Sequence, residues 1–222
     1  MIRGFIIILF YIAFLFVIFF VAAGTIEIPM VWIALGCYAA ISIINFFLVD
    51  PELIPERLQM GGEGVSQLDR VVATVSFILI YPLTLIAAGL DVGRYHWTPS
   101  YAFLIQILAL LLYCFGNLFG RWAMVSNKYF STFVRIQVDR DHKVESGGPY
   151  RYIRHPGYAG AILAAMTLPL ALGSVYALAP ALVGCIGIVV RTALEDKTLI
   201  GGLKGYRDYA MKVQYRLLPG VW

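Results

Sequence analysis

Long apolar runs without charged residues divide most of the chain into candidate transmembrane helices. Five runs contain no Asp, Glu, Lys or Arg: 4–26, 28–49, 71–90, 98–120 and 156–190. A helix needs about 20 apolar residues to cross the hydrocarbon core of a bilayer, and each of the first four runs meets that length. The first run is longer than the hydrophobic segment of a signal peptide, so we expect it to be the first span.

The fifth run is long enough to hold two helices. It is interrupted near its middle by Pro169, Gly173 and Ser174, which are residues that favour a turn. We therefore predict a tight helical hairpin whose second helix continues past Arg191, with a single kinked helix as the alternative. The predicted fold is an all-α integral membrane protein with about six transmembrane helices, the last two forming the hairpin.

Three polar pieces separate or follow these runs. They are 50–70, in which Gly61–Gly64 should be mobile, then 126–154, and the tail 191–222. In the tail we expect the helix to break at Gly201-Gly202 and a short helix to follow around 206–215. None of the pieces is large enough for a soluble domain. We predict one membrane domain, 1–222, with four spans in 1–125 and a catalytic half in 126–222.

Basic residues lie almost entirely on one side of this arrangement. The chain has 17 Lys and Arg residues. When successive loops are assigned to alternating sides of the membrane, all of them except Arg94 fall on the same side. The positive-inside rule then places both termini, the longer loops and the C-terminal region in the cytoplasm. The basic residues alternate with acids near the membrane ends, which disfavours binding to nucleic acid. The net charge of +4 therefore reflects topology.

Metal and nucleotide motifs are absent from the sequence. The three cysteines, Cys37, Cys114 and Cys185, lie inside apolar runs at spacings that fit no metal site. The chain has no Walker A loop, HExxH or CxxC motif. The spans also lack the midplane ionisable groups typical of transporters, although a non-enzymatic transporter or scaffold remains an alternative.

The segment 148–160 is the first candidate for chemistry. Pro156 suits the first turn of a helix, which would put Arg154 and His155 at a helix N-terminus that favours an anion. Tyr150, Tyr152 and Tyr158 offer aromatic faces for a purine or a cation. The alternative is an interfacial aromatic belt with a capped helix start.

Arg191 and Glu195 form the second candidate because a spacing of four places both on one helix face. Arg191 could hold an anionic substrate and Glu195 a cationic cofactor, or the two could form a local ion pair. We expect Asp196 to point elsewhere and to be solvated. A third candidate, 205–209, favours a short amphipathic surface helix.

These motifs together resemble one family. The stretch Arg154-His155-Pro156-Gly157-Tyr158-Ala159-Gly160 resembles the isoprenylcysteine carboxyl methyltransferase family, which is related to the membrane phospholipid methyltransferases. The resemblance extends upstream through 130–137 and 141–145, and downstream through Arg191-x-x-x-Glu195 and Gly205-Tyr206-x-x-Tyr209 to Arg216-Leu217-Leu218-Pro219. The N-terminal spans resemble the family only in hydrophobicity. The family often has Glu-Glu where this chain has Glu195-Asp196, and its turn is only approximated by 147–150.

The resemblance implies an S-adenosyl-L-methionine-dependent methyltransferase without a Rossmann domain and without a metal ion. Arg191 and Glu195 would be the catalytic residues, and Arg191 would face the substrate. The cofactor would contact Gln137, His142, Lys143, Val144, Glu145, Tyr150, His155, Pro156, Gly157, Tyr158 and Glu195.

The substrate implied by the resemblance is lipophilic, either a small molecule or a lipidated peptide surrounded by membrane lipids. The expected reaction is O-methylation of an isoprenylcysteine-like carboxylate. Such a group is ionised at pH 7 and needs no general base. N- or S-methylation of a phospholipid, amine or small thiol is the alternative, and it would require Glu195 or His155 to accept a proton.

Overall fold

The computed structural model describes residues 2–53 and 65–222, so the predicted mobile stretch Gly61–Gly64 lies outside the described residues. Helices dominate, and no strand occurs in 2–53 or 65–222. The helices are α1 (Ile2–Ala23), α2 (Pro29–Leu48), α3 (Gln67–Tyr95), α4 (Phe103–Ser126), α5 (Pro156–Leu172), α6 (Leu178–Gly202) and α7 (Tyr206–Lys212). Short 3₁₀ turns lie at Pro51–Leu53, Val138–Arg140 and Gly148–Arg151.

Five of these helices, α1, α2, α3, α4 and α6, are long and apolar enough to cross a membrane. The chain is therefore a multi-pass integral membrane protein. Helix α5 is apolar but has 17 residues, which corresponds to about 25 Å of helix. The sixth span thus stays a prediction, while the all-helical class is confirmed.

The hairpin within 156–190 consists of two helices, as predicted, and not of one kinked helix. Gly173 ends α5 in the left-handed conformation with φ of 89°. Its N–H donates to the carbonyl of Leu170, and the N–H of Ser174 donates to the carbonyl of Pro169. This closure is favourable for glycine because it has no Cβ. The second helix continues past Arg191 and ends at Gly202, as the sequence predicts.

At one end of the bundle, the buried carboxylate of Asp91 in α3 connects this helix to the following loop and to the hairpin turn. It accepts hydrogen bonds from the N–H of Thr98 (2.7 Å) and from the hydroxyl of Ser174 (2.5 Å). Arg94 lies at the same end and donates to the carbonyl of Val21 at 2.9 Å. The hairpin turn is therefore held at the end of the bundle opposite the starts of α5 and α3.

Small residues bring α4 and α5 into close contact. A Cβ on Gly160 would lie 2.5 Å from the carbonyl oxygen of Gly116 and 2.6 Å from the nitrogen of Gly120. Only glycine permits this backbone approach. The contact sets the start of α5 beside the end of α4, where the polar loop 127–155 begins.

Candidate active site

A cavity of about 80 Å³, open to solvent, lies where loop 127–155 meets the start of α5, the second half of α6 and helix α7. Eight of the predicted cofactor residues line it: His142, Val144, Glu145, Tyr150, His155, Gly157, Tyr158 and Glu195. The fold thus brings together segments that are far apart in the sequence.

Three predicted cofactor residues lie outside the lining. Gln137 is fully buried, donates to the carbonyl of Tyr129 at 2.7 Å and accepts from Arg140. It therefore stabilises the loop through hydrogen bonds within it. Lys143 is exposed and forms an ion pair with Asp141 at 2.8 Å. Pro156 is buried as the first residue of α5. The exposed Tyr152 does not line the cavity either.

Asp196 is a buried hydrogen-bond acceptor, and the expectation that it would be solvated is wrong. It is 1% exposed and accepts from Arg154 Nε (2.8 Å) and Nη2 (3.0 Å), from Arg216 Nε (2.8 Å) and from the hydroxyl of Tyr206 (3.0 Å). His155 Nε2 lies 3.3 Å from the same carboxylate. Asp196 does lie on a different helix face from Glu195, but the C-terminal tail covers that face.

Arg154 lines the cavity, but its guanidinium is engaged in holding the C-terminal tail. Its Nη1 donates to the carbonyls of Ala210, Val213 and Gln214. The backbone N–H groups of Arg154 and His155 donate to the carbonyls of Tyr215 and Arg216, each at 2.9 Å. These two N–H groups are therefore unavailable to the anion that the sequence suggested for this helix start.

Arg191 is held by a residue that the sequence analysis missed. Its Nε donates to Asp69 Oδ1 at 2.8 Å and its Nη2 to Asp69 Oδ2 at 3.4 Å, while Nη2 also donates to the carbonyl of Thr132 at 2.8 Å. The guanidinium carbon lies 5.5 Å from the ring centroid of Tyr158. Nε and Nη2 of the guanidinium are therefore both occupied, and Arg191 itself is not among the residues that line the cavity.

Glu195 lines the cavity as a carboxylate without a basic partner. Among the described residues, no Lys, Arg or His nitrogen lies within 4.0 Å of it, so the alternative of a local ion pair with Arg191 is not formed. Glu145 differs, because its Oε1 accepts from the N–H groups of Ser146 (3.0 Å) and Gly147 (2.7 Å). The Glu195 carboxylate, which interacts with the Tyr158 hydroxyl, can therefore attract a cation into the cavity.

Two lining residues on the loop side are electrically neutral near pH 7. Burial, reinforced by Arg140 and Arg135, lowers the pKa of His142 to about 4. The His142 ring stacks on Tyr129, with ring centroids 4.4 Å apart. Burial likewise raises the pKa of Tyr150, which keeps its phenol protonated. The loop side of the cavity therefore offers flat, uncharged faces suited to an aromatic base.

Comparison with known proteins shows that most of the cavity lies within a region that matches a protein family. Residues 107–201 match the model of the isoprenylcysteine carboxyl methyltransferase family. The resemblance expected from the sequence is confirmed over this region. Its matched range runs from α4 to the last turn of α6, and it contains Arg191, Glu195 and most of the lining.

Two curated relatives are probable protein-S-isoprenylcysteine O-methyltransferases, one from Oryza sativa subsp. indica and one from Oryza sativa subsp. japonica. Each is 29% identical over 93 residues, which cover 41% of this chain and 45% of the relative. The matched region is thus less than half of each relative's length. The tail motif 205–219 and the first three spans lie outside the match to the family model.

Proposed function

We propose that the chain is an S-adenosyl-L-methionine-dependent methyltransferase that acts on the carboxylate of an isoprenylcysteine-like, lipophilic substrate. The observation that carries this proposal is the carboxylate of Glu195, which lies without a Lys, Arg or His partner within 4.0 Å among the described residues, in a cavity formed mostly by the family-matched segments. S-adenosylmethionine carries a positive sulfonium and a positive amino group, and Glu195 is suited to balance one of them.

The other lining residues fit the remainder of this cofactor. His155 and Tyr158 lie with near-parallel rings, 5.9 Å between centroids and 13° between planes, and they offer a flat face for a cation or an adenine ring. The neutral rings of His142 and Tyr150 lie on the loop side. Among the described residues, no group of three His, Cys, Asp or Glu side chains forms a metal site.

The proposed reaction breaks the bond between the methyl carbon and sulfur and forms a bond between that carbon and a carboxylate oxygen. S-adenosylmethionine supplies the methyl group and leaves as S-adenosylhomocysteine. No proton has to move, because a carboxylate with a pKa near 4 is already ionised at pH 7. The protein then has to align the two partners and exclude water, which is the kind of catalysis that positioning alone provides.

Arg191 is suited to hold the carboxylate in line. Asp69 holds its guanidinium in one orientation through two hydrogen bonds, from Nε and from Nη2. A charge-assisted hydrogen bond from Nη1 to one carboxylate oxygen would leave the second oxygen free for methylation.

The lipophilic part of the substrate would come from the bilayer. Phe130 and Phe133 of the loop, together with Leu199 and Leu203 at the end of α6, give the cavity apolar walls. In this proposal the chain has six spans, and the cavity and both termini face the cytoplasm, in line with the distribution of its basic residues.

A product analysis tests the proposal. Purified protein in nanodiscs of phosphatidylcholine and phosphatidylethanolamine would be incubated with methyl-labelled S-adenosylmethionine, S-farnesylcysteine and a small thiol. Label should enter a base-labile methyl ester, and the same substrate already esterified should accept none. Label appearing instead in phosphatidylethanolamine or in a small thiol, with none in S-farnesylcysteine, would replace the carboxylate by an amine or thiol acceptor.

A further inference from the structure

A second cavity of about 230 Å³ lies within the bundle, between α1, α2 and α4. Its walls are largely apolar and include Ile8, Ile12, Phe46 and Val49. Helix α4 separates it from the candidate active site, because α4 turns Gly116 and Gly120 toward α5 and turns Arg121 and Met124 into this cavity. None of the residues assigned to methyl transfer lines it.

A cation is directed into this apolar space. Arg121 lies five residues before the end of α4, which is about 7.5 Å along the helix axis. Its Nη2 lies 3.3 Å from the hydroxyl of Ser42, and no carboxylate of the described residues lies within 4.0 Å of it. An arginine that served only as an anchor would extend toward the lipid head groups. This side chain instead points to α2.

Two polar atoms of residues that line this cavity with Arg121 have no hydrogen-bond partner among the described residues. Asn45 is 7% exposed, and its amide nitrogen reaches only the sulfur of Met124 at 3.5 Å. Its Oδ1 lacks a hydrogen-bond donor among the described residues, and the buried hydroxyl of Tyr11 also lacks a partner there. Leaving a buried polar group without a hydrogen-bond partner is unfavourable, so both atoms favour a ligand that can pair with them.

We propose that this cavity binds an acidic lipid from the bilayer, through a head group that carries an oxyanion and one O–H or N–H donor. Arg121 and the Tyr11 hydroxyl donate to the oxyanion. Asn45 Oδ1 accepts from the donor of the head group. The hydrocarbon tail lies along the apolar walls of α1 and α2. This site is additional to the proposed methyl-transfer site and does not depend on it.

Native mass spectrometry of the full chain with 1-oleoyl lysophosphatidic acid tests the site, because this lipid has one tail, a phosphate and a free hydroxyl. Arg121→Gln should weaken binding at least tenfold. Arg3→Gln is the matched control, since Arg3 is an exposed arginine on α1 outside the cavity, and it should bind as the wild type does. Oleoylglycerol, which lacks the anion, and inorganic phosphate, which lacks the tail, should bind at least tenfold more weakly than the acidic lipid.

Asn45→Leu is a second test of the site that leaves Arg121 in place. Leucine is compatible with the apolar helix α2, so the variant should fold. It should weaken binding of lysophosphatidic acid more than that of oleate, which has no donor for Asn45. Equal binding by Arg121→Gln and Arg3→Gln, or equal affinity for oleoylglycerol and lysophosphatidic acid, would overturn the proposal. Affinity for S-adenosylhomocysteine should be the same in Arg121→Gln and wild type, which keeps this test separate from that of the methyltransferase.

Discussion

Two buried carboxylates hold the arginine side chains that surround the candidate active site. Asp196 binds Arg154 and Arg216 from the C-terminal half, and Asp69 reaches Arg191 from the start of α3. Buried charges are tolerated only when they are paired and fully hydrogen-bonded. Each carboxylate therefore fixes at least one guanidinium group. Removing the carboxylate would leave a buried arginine without a counter-charge, which would destabilise the fold.

Asp196→Asn should destabilise the protein strongly. Asparagine removes the negative charge and leaves Arg154 buried without a counter-charge, an effect worth about 3–5 kcal/mol in buried pairs. Thermal unfolding in detergent measures this, with the exposed Asp208→Asn as the matched control. Equal unfolding temperatures for the two variants would contradict the role assigned to Asp196.

Asp69→Asn should impair turnover and spare the cofactor. It weakens the hydrogen bonds that set the direction of Arg191, and a misplacement of about 1 Å can cost on the order of 100-fold in rate. We expect kcat for the carboxylate substrate to fall about 10- to 100-fold, while the Kd for S-adenosylhomocysteine stays within twofold. Asp139→Asn, at an exposed acid outside the cavity lining, is the control. A loss of cofactor affinity equal to the loss of turnover would show a general structural defect instead.

The sequence indicated part of this site and could not indicate the rest. The spacing of Arg191 and Glu195 put them on one face, and the Arg154–Gly160 stretch predicted the start of α5. Asp69 lies 122 positions from Arg191, so no local pattern links the two. For Asp196, the helix periodicity correctly placed the side chain on a different face of α6 from Glu195. The tail that buries this face is placed by tertiary contacts.

At the scale of elements, the contact between α4 and α5 positions the cavity. Gly160→Ala would put a Cβ 2.5 Å from the carbonyl oxygen of Gly116, so the two helices would have to separate. Overpacking of this kind costs about 1–3 kcal/mol. Gly36→Ala is the control, because a Cβ there meets nothing within 4 Å in the equally apolar helix α2. Thermal unfolding should show a loss only for Gly160→Ala, and equal stability of the two variants would contradict the close-contact interpretation.

Element boundaries followed from residues with strong local preferences. Pro156 begins α5, Gly173 ends it and Gly202 ends α6, as the sequence predicted. The interior of α3 was less predictable, because Pro82 lies inside it within a wider helical turn, Leu79–Leu83. Proline usually ends or kinks a helix. Here α3 continues through Pro82 because the wider turn accommodates it, and the sequence alone does not indicate such a turn.

At the scale of the whole molecule, the one-sided charge predicts an orientation. Glu27, in the turn between α1 and α2, should lie outside the cytoplasm, and Lys212 in α7 should lie inside it. A membrane-impermeant maleimide should label Glu27→Cys in intact cells and Lys212→Cys only after permeabilisation. The wild-type chain is the control for its native cysteines, all within apolar helices. Labelling of Lys212→Cys in intact cells would reverse the orientation and place the cavity on the other side.

The central claim is that the cavity around Glu195 holds S-adenosylmethionine. Isothermal titration calorimetry with S-adenosylhomocysteine on the detergent-purified full chain tests it most directly, with Glu195→Gln compared with Glu27→Gln, an exposed acid at the far end of the bundle. We predict saturable one-to-one binding by the wild type and by Glu27→Gln, and at least a 30-fold loss of affinity in Glu195→Gln. No binding by folded wild-type protein, or equal affinity in both variants, would contradict the account.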